Sequence, residues 1–165
     1  MNAPYPPFDT LRRAFQIEVD GYTFYSMAAD KARSAAVRDM FAKLAGDEQQ
    51  HQVYLRDVIR YYDAKGASAF AVPLRSPEML QLAEAVLPER LGVLAPEAEF
   101  EGAVLSIGMQ LETNAIACYS EAAERASEAE VKGFYRFLSD WETQHLNALR
   151  RLHAAFRADF GEHSG

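Results

Sequence analysis

Cysteine is the scarcest chemistry in this sequence: Cys118 is the only one in 165 residues. A single thiol excludes an intrachain disulfide framework and any four-cysteine iron or zinc module built within this chain, and it fits a reducing compartment best. Basic runs are missing too. The formal charge is −7 with no lysine- or arginine-rich tail or stripe, so nothing here tracks a phosphate backbone and nucleic acid is not an expected partner. No stretch approaches the roughly 20 consecutive apolar residues of a membrane span, and residues 1–7 show neither the positive start nor the apolar run of a leader. No membrane is expected, and the cytoplasm is the expected location.

What is present is the composition of an ordinary globular chain, 49% apolar and 25% charged, of a length that suits one domain over residues 1–165. Apolar residues recur at helical spacing in four stretches, about 9–32, 34–65, 96–126 and 128–160. In the first, Leu11, Phe15, Val19, Tyr22 and Met27 follow a cap at Asp9 or Thr10. In the second, Ser34 precedes Val37, Phe41, Leu44, Leu55, Val58 and Tyr62, and Gly66 marks the end. Pro96 suits the first turn of the third helix, and Ser127-x-x-Glu130 has the form of a capping box opening the fourth. Between them, about residues 66–95, the periodicity lapses and Pro73, Pro77 and Pro88 accumulate, with a short helix expected from Ser76-Pro77-Glu78 through Met79, Leu82 and Val86. Two short-looped hairpins joined by a long crossover predict an all-α, ferritin-like four-helix bundle.

The polar residues that interrupt the apolar stripes carry the chemistry. The second helix reads Leu44, Glu48, His51, Leu55 along one face, and the fourth reads Leu138, Glu142, His145, Leu149. Glu18 in the first helix and Glu112 in the third lie on the same faces as Tyr25 and Tyr119. Adding 94 carries Glu18, Glu48 and His51 to Glu112, Glu142 and His145, so the two hairpins repeat each other. Four carboxylates and two imidazoles aimed into one core are costly unless paired or bound to metal. Two divalent cations balance four glutamates, and each imidazole fills one position on one ion. Oxygen-rich ligands with one imidazole per metal point to two iron ions, with manganese second. Tyr25 and Tyr119 are candidates to hydrogen-bond the ligands or pass an electron, or are ordinary core tyrosines. The glutamates at the ends of the third helix, Glu101 among them, read as a solvated face. Outward Phe24, Phe70, Phe100 and Phe134 predict pairing of bundles into a homodimer.

In Glu18, Glu48-Gln-Gln-His51, Glu112 and Glu142-Thr-Gln-His145 the chain resembles the rubrerythrin-like branch of the ferritin-like di-iron carboxylate proteins. The resemblance covers nearly the whole chain and implies that Glu48 and Glu142 bridge two metals, with Glu18 and His51 at one end and Glu112 and His145 at the other. It implies oxidation of Fe(II) by dioxygen or peroxide, or reduction of peroxide. Two departures accompany it. The extra glutamate one turn from the third-helix ligand is replaced by Met109 and Ala115, and the rubredoxin-like domain is missing, so sustained reduction needs an external electron donor protein. The alternatives are a non-catalytic iron-binding or adaptor protein and a di-iron hydroxylase of an organic substrate.

Overall fold

A computed structural model describes residues 7–33, 35–75 and 95–162. Regular structure among them is entirely helical: α1 Pro7–Lys31, α2 Ala35–Lys65, a 3-10 helix Gly66–Phe70, α3 Ala95–Arg125 and α4 Ala129–Glu162. At about 1.5 Å per residue, the 31 residues of α2 and 34 of α4 give rods about 45–50 Å long. α1 lies along α2 and α3 along α4, and α1 also touches α3. The molecule is thus two helical hairpins laid together, the four-helix bundle that the spacing predicts. No helix among the described residues is long and apolar enough to cross a membrane.

Local chemistry sets the helix ends, not always where the sequence places them. α1 starts at Pro7 rather than Asp9 or Thr10, leaving Asp9 inside the first turn where its charge faces the positive end of the helix dipole. The expected cap Ser34 lies outside the described residues. α2 stops at Gly66, whose φ of +56° is the left-handed conformation that ends helices and that glycine adopts without strain. At α4 the cap falls one residue later than expected. The Glu128 carbonyl accepts the first helical bond from the Lys132 amide at 3.0 Å, and the Ser127 hydroxyl donates to the Glu128 carboxylate at 2.8 Å.

The crossover is only partly irregular. Gly66–Phe70 turns back so that Phe70 is buried against Tyr62, Phe134 and Tyr135, with centroid separations of 6.0, 5.4 and 5.8 Å. The short helix expected from Ser76 lies outside the described residues. This packing corrects the outward placement of two phenylalanines: Phe70 and Phe134 are inside, which leaves half-buried Phe24 and exposed Phe100 to carry the expected pairing of bundles. Two further corrections concern helix faces. Tyr22 and Met27 are exposed, because the inward stripe of α1 runs through Leu11, Ala14, Glu18, Gly21 and Tyr25, and Glu101 in α3 is buried rather than solvated.

The core falls into two apolar clusters with a polar layer between them. One gathers Tyr25, Val37, Phe41, Leu44, Leu105, Leu149 and Leu152, and the other Leu11, Leu55, Val58, Phe70, Tyr119, Phe134 and Leu138. α2 passes from the first cluster at Leu44 to the second at Leu55, and α4 passes from the second at Leu138 to the first at Leu149. The residues crossed on the way are Glu48 and His51 on α2, and Glu142 and His145 on α4. At roughly 1.5–3 kcal/mol for each large apolar side chain buried, these clusters stabilise the bundle enough to hold a costly polar layer shut away from water.

Candidate metal centre

Each pair of polar residues sits three apart on its helix, so both side chains project from one face toward the bundle axis. The structure brings all six expected residues together: Glu18, Glu48, His51, Glu112, Glu142 and His145 are each at most 3% exposed. Around His51, Nδ1 lies 2.9 Å from Glu142 Oε1, 3.1 Å from Glu18 Oε2 and 3.4 Å from Glu48 Oε2. Around His145, Nδ1 lies 2.8 Å from Glu142 Oε2, 3.4 Å from Glu48 Oε1 and 3.6 Å from Glu112 Oε1. Glu48 and Glu142 therefore each turn one oxygen to either side. Two quartets result, Glu18–Glu48–His51–Glu142 and Glu48–Glu112–Glu142–His145, each with donor atoms within 4.8 Å of one another.

The electrostatics show the cost of this crowding. Burial pushes the Glu18 carboxyl up to about 8 despite the pull of His51, and burial with the charges of Glu48 and Glu142 holds Glu112 well above the usual carboxylate range. Burial also works against Glu48 and Glu142, yet hydrogen bonding for the one and the two histidine charges for the other keep both below the ordinary value. Both histidines are raised well above theirs, because the facing carboxylates overcome burial. Protons on the outer glutamates and the imidazoles thus offset the charge that cations would otherwise balance.

The donor set fits a metal on its own geometry. Both oxygens of Glu142 and Nδ1 of His145 are buried with no aligned hydrogen-bond partner among the described residues, although they lie 2.8–3.6 Å from their neighbours. Once the protons that ease this crowding leave, the same atoms turn their lone pairs to common points, as ligands do. Apolar clusters on both sides exclude the water that would otherwise satisfy them.

Tyr25 and Tyr119 are part of this assembly, and they act across the hairpins rather than along their own helices. Tyr25 Oη on α1 donates to Glu112 Oε1 on α3, and Tyr119 Oη on α3 donates to Glu18 Oε1 on α1. Burial and the adjoining carboxylate raise both phenols far above their usual range, so both stay protonated as donors. Three further residues join the site that sequence pattern alone does not single out. Asp47 Oδ2 meets His145 Nε2 at 3.3 Å while its Oδ1 accepts from Lys43 Nζ at 2.7 Å. The amide of Gln52 donates to the Glu18 carbonyl at 3.1 Å. Gly21 gives Glu48 room, since a Cβ there would meet the Glu48 carboxylate at 3.2–3.3 Å. Neither Asp47 nor Gly21 carries a signal for this in an isolated sequence, since Asp47 serves a histidine of the other hairpin and Gly21 acts by the room it leaves.

Gly21→Ala should therefore act in opposite directions on fold and site. Removing an interior helical glycine contributes up to ~1 kcal/mol to the metal-free protein, less what displacing Glu48 costs that fold, while the displaced Glu48 weakens metal binding several-fold. Thermal melts and metal titrations of the same variant check both signs, and unchanged affinity would show that Glu48 moves aside freely.

A helical bundle carrying a buried layer of glutamates and histidines between its hairpins is the architecture of the ferritin-like proteins. Within that class the chain belongs to the rubrerythrin family, whose model, Rubrerythrin, matches residues 9–153. No curated protein and no solved structure matches the chain.

Proposed function

We propose that this protein is a di-iron oxidoreductase, with Glu48 and Glu142 shared between two metals, Glu18 and His51 completing one end, and Glu112 and His145 the other. The observation that carries the reading is the double-sided placement of Glu48 and Glu142, one oxygen of each facing each histidine. Family membership supports it. Iron is preferred over manganese because the reading is a redox one, and carboxylate and imidazole ligands suit either metal.

Iron bound here supplies ferrous–ferric chemistry, two electrons per pair, which with two protons takes peroxide to two waters or dioxygen to peroxide. The chain's own groups prepare for it. Glu18 and Glu112 release their protons as cations enter, Tyr25 and Tyr119 then hold those carboxylates by donating from Oη, and the flanking apolar layers keep bulk water out. With Cys118 its only cysteine, this stretch of chain cannot itself build a four-cysteine iron site, so sustained reduction draws electrons from outside it, an external donor protein in this proposal. A cytoplasmic homodimer completes the proposal.

Anaerobic loading with two equivalents of Fe(II), followed by dioxygen or peroxide, tests the reading. The expected result is consumption of the oxidant with a rise in ferric absorption in the near ultraviolet. Iron that binds and then stays ferrous in the presence of both oxidants would instead mark a binding or adaptor protein. The hydroxylase reading lacks support from the cavity between α3 and α4, about 290 Å³, which is lined by Ser120, Ala123, Glu124, Arg136, Ser139 and Asp140. Those are largely polar groups, and none of the six candidate ligands is among them.

A further inference from the structure

The two halves of the centre repeat each other in their ligands but not in what stands behind their histidines. With Nδ1 of each imidazole turned to the carboxylates, Nε2 carries the proton and needs an acceptor. His145 has one: Asp47 Oδ2 lies 3.3 Å from its Nε2, and Asp47 is fixed in turn by Lys43 at 2.7 Å. His51 has none among the described residues, its Nε2 being buried there without a hydrogen-bond partner. The offset of 94 that relates the hairpins carries Asp47 onto Trp141. Trp141 stands edge-on to the His51 ring with centroids 4.5 Å apart and planes at 83°. An indole N–H donates and cannot accept, so it cannot take the place of the carboxylate, and among the described residues Trp141 Nε1 is itself buried without a partner.

We infer that the two halves bind metal unequally, the His145 half filling first and holding its ion more tightly because Asp47 orients and polarises His145, while Trp141 leaves His51 unsupported. This rests on the reading of the cluster as a two-metal centre. Asp47 is a positioning residue that acts through His145. A carboxylate behind a ligating histidine fixes its tautomer and strengthens it as a donor, and losing such a partner typically costs about 10–100-fold in metal affinity. The substitution at position 141 builds that loss into one half of an otherwise repeated site.

Titration of the metal-free protein with Co(II), followed by calorimetry and native mass spectrometry, should show a tight first equivalent and a weaker second. Repulsion between the two ions would by itself separate the steps, so the variants decide. His51→Ala should keep the tight step and lose the weak one, and His145→Ala should do the reverse. Asp47→Asn should weaken the first step about 10–100-fold with a normal circular dichroism spectrum, while Trp141→Phe, which removes no acceptor, should leave both steps within about two-fold. If His51→Ala abolishes the tight step, or Asp47→Asn leaves it unchanged, the inference is overturned and the two-metal reading stands. If no Co(II) binds the parent protein, both fail.

Discussion

Mn(II) or anaerobic Fe(II), kept free at about 100 times the dissociation constant of the weaker site, should raise the thermal unfolding midpoint of the metal-free protein by at least roughly 10–20 °C at pH 8. That range combines about 2.7 kcal/mol for each site held at 100 times its dissociation constant with about 2–4 °C per kcal/mol for a chain of this size. The gain should depend on pH in a definite direction. Glu18 titrates near 8 in the empty fold against 4.5 as an ordinary carboxylate, so the folded state keeps a proton that the unfolded chain has already released. The empty protein therefore loses stability as pH rises from about 4.5 through 8, and the raised Glu112, His51 and His145 act in the same sense. Metal binding removes those protons and grows stronger over the same interval. The metal-dependent shift should be small at pH 5 and largest at pH 8, as differential scanning calorimetry at several pH values would show. It should vanish in the Glu142→Ala, His145→Ala variant. A shift that shrinks as pH rises would contradict the proton inventory of the site.

The parts of this architecture written in local spacing were legible in the sequence. A Glu-x-x-His pair three residues apart on a helix cannot avoid sharing a face, and when Leu44 and Leu55 bracket it by the same periodicity, that face must point inward. The repeat at 94 residues then singles out Glu18 and Glu112 as equivalent positions. What the sequence concealed depends on neighbours brought in from elsewhere in the chain. Phe70 belongs to a stretch whose prolines break the periodicity, so its burial under Tyr62 and Phe134 follows only from where the chain turns after Gly66. Tyr25 and Tyr119 stand seven residues after a glutamate on their own helices, yet each serves the glutamate of the other hairpin, a pairing decided by how α1 lies on α3. The role of Gly21 is an absence of atoms beside Glu48. Trp141, at the position the repeat pairs with Asp47, gives no sign in the sequence of the difference it makes behind His51, because that difference shows only once Asp47 is found behind His145.

The shared glutamates should matter more than the outer ones, and by a margin large enough to measure. Glu142 sets Oε1 at 2.9 Å from His51 and Oε2 at 2.8 Å from His145, so it contributes to both quartets at once. Glutamine in its place keeps the shape but offers one oxygen and one N–H₂, and the amide hydrogens would face a cation on one side. Glu142→Gln should thus weaken both metals, by about 100-fold or more overall, equivalent to about 2.7 kcal/mol. Glu18→Gln touches only the His51 quartet and Glu112→Gln only the His145 quartet, so each should leave one equivalent bound. The metal-free Glu18→Gln and Glu112→Gln variants should stay folded, since burial already favours the neutral form of both carboxyls and an amide keeps their shape, whereas Glu142→Gln withdraws the charge facing both histidines, so circular dichroism should accompany its titration. Native mass spectrometry of the four variants, Glu48→Gln included, separates the cases. Equal losses from Glu142→Gln and Glu18→Gln would mean that the carboxylates do not bridge. A variant at Glu48 or Glu142 that still holds two ions would remove the shared carboxylates from the centre altogether.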